Sequence, residues 1–220
     1  MEVTVTGTTV PVGPDQLDAD VRSPEPAVGT VLFAHGSGSS RRSPRNLAVA
    51  QVLNGRGLAT VLVDLLTEEE ARQDSRDGRL RFDIGLLADR LTGVLDWLVT
   101  AAGPTVPGPI GLFGASTGAA AALVTAAARP MTVPAVVSRG GRPDLAGAAL
   151  TGVRAATLLL VGGDDEQVRQ LNQAAMPMLS GPVELRTIPG AGHLFEEPGT
   201  LGQVADAAAG WFVERLPARA

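Results

Sequence analysis

The feature that most constrains how this chain can fold is a series of short runs, apolar on consecutive rather than alternate residues. They are "GTVLFAHG" at Gly29–Gly36, "ATVLVDLL" at Ala59–Leu66, "PIGLFGAS" at Pro109–Ser116, "VPAVVSRG" at Val133–Gly140, "ATLLLVGG" at Ala156–Gly163 and "VELRTIPG" at Val183–Gly190. Successive strand residues point to opposite faces, so an unbroken apolar run is at home only where both faces are covered, as in a parallel sheet between helical layers. Five of the six runs read this way; the last alternates in part and is expected nearer an edge.

Helical patterns fill the intervals. Ser43 before Pro44 reads as an N-cap with proline in the first turn, and Gly55 and Gly57 close that helix. Ile84, Leu87, Ala88, Leu91, Leu95 and Leu98 recur at helical spacing, as do Leu201, Val204, Ala205, Ala208 and Phe212. A helix after Ser116 must end before Pro130, and a shorter one starts near Glu166. The first 28 residues differ: "MEVTVTGTTVPV" alternates, "GPD" turns, and a second strand returns, which predicts an antiparallel hairpin. The expectation is an α/β fold, a three-layer α/β/α sandwich with a mostly parallel sheet and an N-terminal antiparallel edge hairpin, spanning 1–220 as one domain. The polar stretch Thr67–Asp83 reads as a solvated surface loop that shapes access to the cleft.

Composition narrows the chemistry. A net charge of −5 provides no polybasic surface, so neither nucleic acid nor a membrane is expected as a partner. No basic start leads into an apolar core, and no apolar stretch reaches the roughly 20 residues that span a bilayer; a cytoplasmic protein is expected. With no cysteine and two histidines, thiolate chemistry and a histidine-rich metal site are unavailable, and no metal or organic cofactor is expected. An oxygen nucleophile with an imidazole remains.

Gly114-Ala115-Ser116-Thr117-Gly118 is a G-x-S-x-G pattern with a buried strand before it and the alanine-rich "TGAAAALVTAAA" after it. A displayed nucleophile needs that setting, because a strained strand-to-helix turn lifts the hydroxyl above the strand end while small neighbours let backbones pass. The alternative is an ordinary N-cap serine. A serine needs an imidazole base, and the imidazole an orienting carboxylate. His193 lies in the glycine-rich "IPGAGHLFEEPG" before the last helix, whereas His35 reads as a structural hydrogen-bonder. Asp164 and Asp165 end a strand at "VGGDDEQV", and Asp144 is a third candidate. Glu196 and Glu197 are expected at the N-terminus of the final helix. Arg41, Arg42, Arg45, Arg139 and Arg142 read as solvated surface; any that faced the serine would favour a substrate carboxylate.

The order Ser…Asp…His is that of α/β-hydrolases. Together, "AHGSGSS", "GASTGA", "VGGDDEQV" and "PGAGHLF" resemble the small α/β-hydrolases of the dienelactone hydrolase type, over nearly the whole of Gly29–Phe212. The superfamily's G-x-x-D pattern falls on Asp165 through Gly162. The resemblance implies a triad of Ser116, Asp165 and His193, with an oxyanion hole from the N–H groups of Thr117 and Ser37. Dienelactone hydrolases themselves carry cysteine where this chain has Ser116. The chain also resembles small serine hydrolases joined to phosphoribosyltransferase domains, without supplying a phosphoribosyl site. The expected function is hydrolysis of a small-molecule carboxylic ester or lactone in an open cleft without a cap domain. The alternatives are an acyltransferase with the same triad and a non-catalytic binding module.

Overall fold

The computed structural model describes residues 2–100 and 106–216. Eight strands form one sheet: β1 (Val3–Val12), β2 (Asp15–Pro24), β3 (Gly29–Ala34), β4 (Leu58–Val63), β5 (Ile110–Ala115), β6 (Ala135–Arg139), β7 (Ala156–Gly162) and β8 (Val183–Ile188). Their order is β1-β2-β4-β3-β5-β6-β7-β8. From β4 to β8 every pairing is parallel, while β1 and β2 form an antiparallel hairpin that joins β4. The hairpin closes through Gly13 and Pro14; Gly13 sits at φ +58°, as the first position of a two-residue turn of the II′ kind requires.

All six runs form strands. β3, β4, β5 and β6 are buried at every residue, whereas β8, the partly alternating run, lies at the sheet edge with only Ile188 buried. Six α-helices are described, α1 (Pro44–Gly55), α2 (Glu68–Asp77), α3 (Ile84–Val99), α4 (Thr117–Ala128), α5 (Glu166–Ala175) and α6 (Thr200–Arg215), and all but α2 pack on the sheet. On one face Leu87, Leu91, Leu95 and the alanines of α4 meet Leu32, Val61 and Leu112. On the other, Val49, Leu53, Val204, Ala208 and Phe212 meet Val31, Phe33, Leu62 and Phe113. Burial of these two layers supplies the main folding drive, at roughly 25 cal/mol per Å² of apolar surface. None of the described helices is long and apolar enough to cross a membrane.

One expectation fails here. Thr67–Asp83 is not a loop: it contains α2 and a 3-10 turn at Leu80–Phe82. Thr67 and Glu70 form a reciprocal capping box at the start, and Gly78 ends the helix in the left-handed conformation, at φ +66°. Asp74, facing inward, is only 3% exposed and takes hydrogen bonds from the Arg81 backbone N–H (3.0 Å) and Nε (2.6 Å). Burial alone would raise its pKa, but those bonds outweigh it and hold the carboxyl below its ordinary range.

Candidate active site

β5 ends at Ala115 and α4 begins at Thr117, so Ser116 alone makes the turn. It does so at φ 50° and ψ −118°, backbone that L residues rarely adopt and that costs about 1–3 kcal/mol. Its N–H donates to the Arg139 carbonyl (3.2 Å), and its own carbonyl accepts from the N–H groups of Ala119 (3.1 Å) and Arg142 (3.2 Å). The flanking glycines make the turn sterically possible. A Cβ on Gly114 would stand 2.4 Å from the Ala119 Cα, and one on Gly118 2.3 Å from the Ala34 carbonyl oxygen. Although Ser116 occupies the N-cap position of α4, its hydroxyl accepts no capping hydrogen bond.

His193 stands on the loop between β8 and α6, with Nδ1 2.7 Å from Asp165 Oδ2. A carboxylate only accepts, so Nδ1 donates and Nε2 is left as the basic nitrogen. Asp165 precedes α5 as its N-cap residue but makes no capping bond; its carboxylate is turned to the imidazole instead. Asp164 is exposed and is held through its backbone N–H to the Ala191 carbonyl (3.0 Å). Asp144 is engaged by Arg142 through two bonds of 2.8 and 2.7 Å. Gly140, at φ 51°, connects the serine to the histidine. The residue before it accepts the Ser116 N–H, and a Cβ placed on it would lie 3.1 Å from the His193 carbonyl oxygen and 3.6 Å from its Cε1.

The loop after β3 passes close over the turn: a Cβ on Gly36 would come within 3.2 Å of the Ser116 Cβ. Among the described residues, the N–H groups of Ser37 and Thr117 donate neither to a loop carbonyl nor to a side chain. His35 is pinned at both ring nitrogens, Nδ1 donating to the Gly36 carbonyl (2.9 Å) and Nε2 accepting the Leu65 N–H (3.1 Å). Desolvation lowers its pKa, against opposing contributions from Gly36 and Asp64. The folded chain therefore declines a proton that the unfolded chain accepts, so this residue's contribution is complete above pH 6.5 and is lost as pH falls towards the depressed value. Urea unfolding between pH 7.5 and 5.5 is expected to show stability falling by up to about 1.4 kcal/mol per pH unit from this source, a slope that His35→Gln removes.

A cavity of about 780 Å³ lies beside the loop after β3, lined on one side by Gly36, Ser37, Gly38 and Thr117 and on the other by Thr67, Ala71, Asp74 and Arg81 of the α2 segment; Ser116, Asp165 and His193 do not line it. The buried Thr117 hydroxyl has no hydrogen-bond partner. Arg81 reaches across this cavity, its Nη1 standing 3.3 Å from where a Cβ on Gly38 would be. This wall was hidden in the sequence, although Thr67 and Glu70 carry the capping-box spacing.

The arginines divide. Arg41 is held by Asp18, Asp20 and Asp64, Arg45 by Glu196 (2.9 Å) and Arg142 by Asp144; Arg42 is exposed. Arg139 contradicts the surface expectation, being only 8% exposed. Neither glutamate of the His193 loop caps α6, whose N-cap is Gly199. Glu196 takes Arg45 because the loop folds back towards α1, and Glu197 braces the loop through the Gly192 N–H (3.1 Å).

The solved dienelactone hydrolase from Anabaena variabilis is 53% identical, matches 98% of this chain and 100% of its own, and superposes with a TM-score of 0.94. The chain belongs to the dienelactone hydrolase-like α/β-hydrolases. Est1E from Butyrivibrio proteoclasticus, 16% identical over 95% of this chain and 98% of its own, has the same fold with a TM-score of 0.78. No family model matches the chain. Among curated proteins, one from Mycobacterium tuberculosis named "Putative phosphoribosyl transferase" is 55% identical over 94% of this chain. This dienelactone hydrolase-like chain spans about half of that relative, 46% of its length.

Proposed function

We propose that the chain is a serine hydrolase that cleaves a carboxylic ester or lactone of a small molecule through an acyl-enzyme on Ser116. The observation that carries this reading is the strained backbone of Ser116, uncapped by its own hydroxyl, with the Asp165–His193 pair across Gly140. In this mechanism His193 Nε2 takes the hydroxyl proton as Oγ attacks the acyl carbon, and Asp165 stabilises the resulting imidazolium. The N–H groups of Thr117 and Ser37 hold the developing oxyanion, the first aided by the positive end of α4. His193 then protonates the departing alkoxide and, in the second half, activates water to release the acid. The solved Anabaena relative supports the ester or lactone class, since it is named a dienelactone hydrolase.

The test is covalent. A fluorophosphonate is expected to label the folded protein once, with the adduct on the Ser116 peptide by mass spectrometry, and a short-chain 4-nitrophenyl ester to be turned over by the same preparation. Neither labelling nor turnover in a folded sample would overturn the proposal.

A further inference from the structure

The cavity between the loop after β3 and the α2 segment is not used by the mechanism proposed above, yet it begins at the candidate oxyanion donors. Ser37 and Thr117 line it, and so does Gly36, whose added Cβ would come within 3.2 Å of the Ser116 Cβ. A carbonyl held by the N–H groups of Ser37 and Thr117 would stand beside this space. Its volume of about 780 Å³ falls within the range of small-molecule sites, roughly 300–1,000 Å³.

The chemistry of the lining disfavours three kinds of occupant. For an anion, the inner cations are already taken: Arg41 is held by Asp18, Asp20 and Asp64, and Arg81 gives its Nε to Asp74 (2.6 Å), which leaves the exposed Arg42. For a cation, the same pairs occupy the carboxylates of Asp18, Asp64 and Asp74, and the exposed Glu68 is paired with Arg72 (2.9 Å). An aliphatic chain would meet Leu66, Ala71 and Leu87 but would strip water from hydroxyl, amide and guanidinium groups without replacing its hydrogen bonds.

What the lining offers is neutral donors and acceptors. Among the described residues, the Gln16 amide and the Ser37 and Ser39 hydroxyls make no hydrogen bond within the protein, and Thr117, 2% exposed, has its hydroxyl unpartnered. The paired guanidinium and carboxylate groups keep donors and lone pairs beyond those their partners use. A group bearing several hydroxyls matches such a lining, because each hydroxyl both donates and accepts. Sites that bond hydroxyls reject analogues lacking them, whose binding leaves the polar groups unpaired.

His193 decides which end of the substrate enters. It does not line the cavity, whereas the leaving oxygen has to reach His193 Nε2 to be protonated, so the cavity faces the acyl side. We propose that this cavity binds a hydroxylated acyl group, and that the enzyme opens lactones, or cleaves esters, of neutral polyhydroxylated acids of the sugar-acid kind. This rests on the hydrolase reading above. With a lactone, Ser116 Oγ bonds to the carbonyl carbon, the ring C–O bond breaks, and His193 passes the serine proton to the released oxygen; water then frees the open hydroxy acid and restores the serine.

The test compares D-galactono-1,4-lactone with γ-hexalactone, which share a carbon skeleton and ring and differ in hydroxylation, on wild type, Ala71→Trp and Gln73→Trp. Ala71 is exposed and lines the cavity, so the indole of Ala71→Trp fills it; Gln73, exposed on the same helix, is outside the lining. Wild type is expected to prefer the hydroxylated lactone at least tenfold in kcat/KM, since neutral hydrogen bonds contribute about two- to tenfold each. Ala71→Trp is expected to lower that ratio at least tenfold, chiefly through KM, and Gln73→Trp to keep it. Both lactones are also titrated calorimetrically into Ser116→Ala and into Ser116→Ala with Ala71→Trp; galactonolactone alone is expected to bind, and only to the first. Such binding by a protein that hydrolyses neither lactone supports the site and overturns the hydrolase reading alone. The proposal is overturned by the absence of any binding that responds to Ala71→Trp, by a wild-type preference for the plain lactone, by an equal loss on both lactones, or by the same fall in Gln73→Trp.

Discussion

Replacing Ser116 by alanine is expected to lower kcat for ester hydrolysis by about 10⁴–10⁶-fold and to abolish fluorophosphonate labelling, as loss of the nucleophile does in other triad enzymes. Glycine at the same position should be equally inactive, and its stability separates function from fold. Ser116 holds φ 50°, which glycine adopts without a Cβ penalty, so Ser116→Gly should be more stable than Ser116→Ala by about 1 kcal/mol in urea unfolding. An inactive variant that is more stable would mark the strained turn as maintained for display of the hydroxyl. Hydrolysis within tenfold of wild type in either variant would place the nucleophile elsewhere.

The second large effect is expected at the carboxylate. Asp165→Asn leaves the shape of the pair but offers an amide to His193 Nδ1, which favours the tautomer protonated at Nε2 and so, on the proposed mechanism, removes the base. A loss of about 10⁴-fold in kcat is expected, with unfolding by urea near that of wild type. Asp164→Asn provides the contrast, because that side chain is exposed and its backbone holds the turn; its activity should stay within about twofold of wild type. Equal losses in the two variants would show that the turn as a whole, and not one carboxylate, orients His193.

The sequence carried much of this architecture for a physical reason. Continuous apolar runs such as "VLFA" and "LLLV" have one comfortable environment, a strand covered on both faces, and both are buried in this way. The partly alternating "VELRTI" fell at the edge on the same logic. α2 escaped notice because "EEEARQDSRD" has no apolar stripe: its inward residue is a carboxylate, whose partner Arg81 lies seven positions on, and no periodicity announces a buried ion pair. Candidates for the site were legible as residue types at strand ends, since chain order alone brings Ser116, Asp165 and His193 to one edge of a parallel sheet. The G-x-x-D pattern of the resemblance favoured Asp165 over Asp164, and it is the Asp165 carboxylate that meets His193. Arg139 was harder still: five arginines looked alike as letters, yet three are held by carboxylates, Arg42 is exposed, and burial without a partner sets Arg139 apart.

The openness of the His193 loop has a bearing on product distribution. The imidazole side chain is 38% exposed, and the connection from β6 to β7, the kinked Pro143–Gly152 stretch, packs against α4. On the proposed mechanism the acyl group on Ser116 waits beside bulk solvent, so any competing alcohol must outrun water on occupancy and geometry. Enzymes that pass acyl groups onward delay that encounter by shielding the intermediate. Here the partition should favour the free acid across a wide range of added alcohol, and the ratio of acid to transferred ester becomes a direct gauge of how dry the bound substrate keeps its own carbonyl.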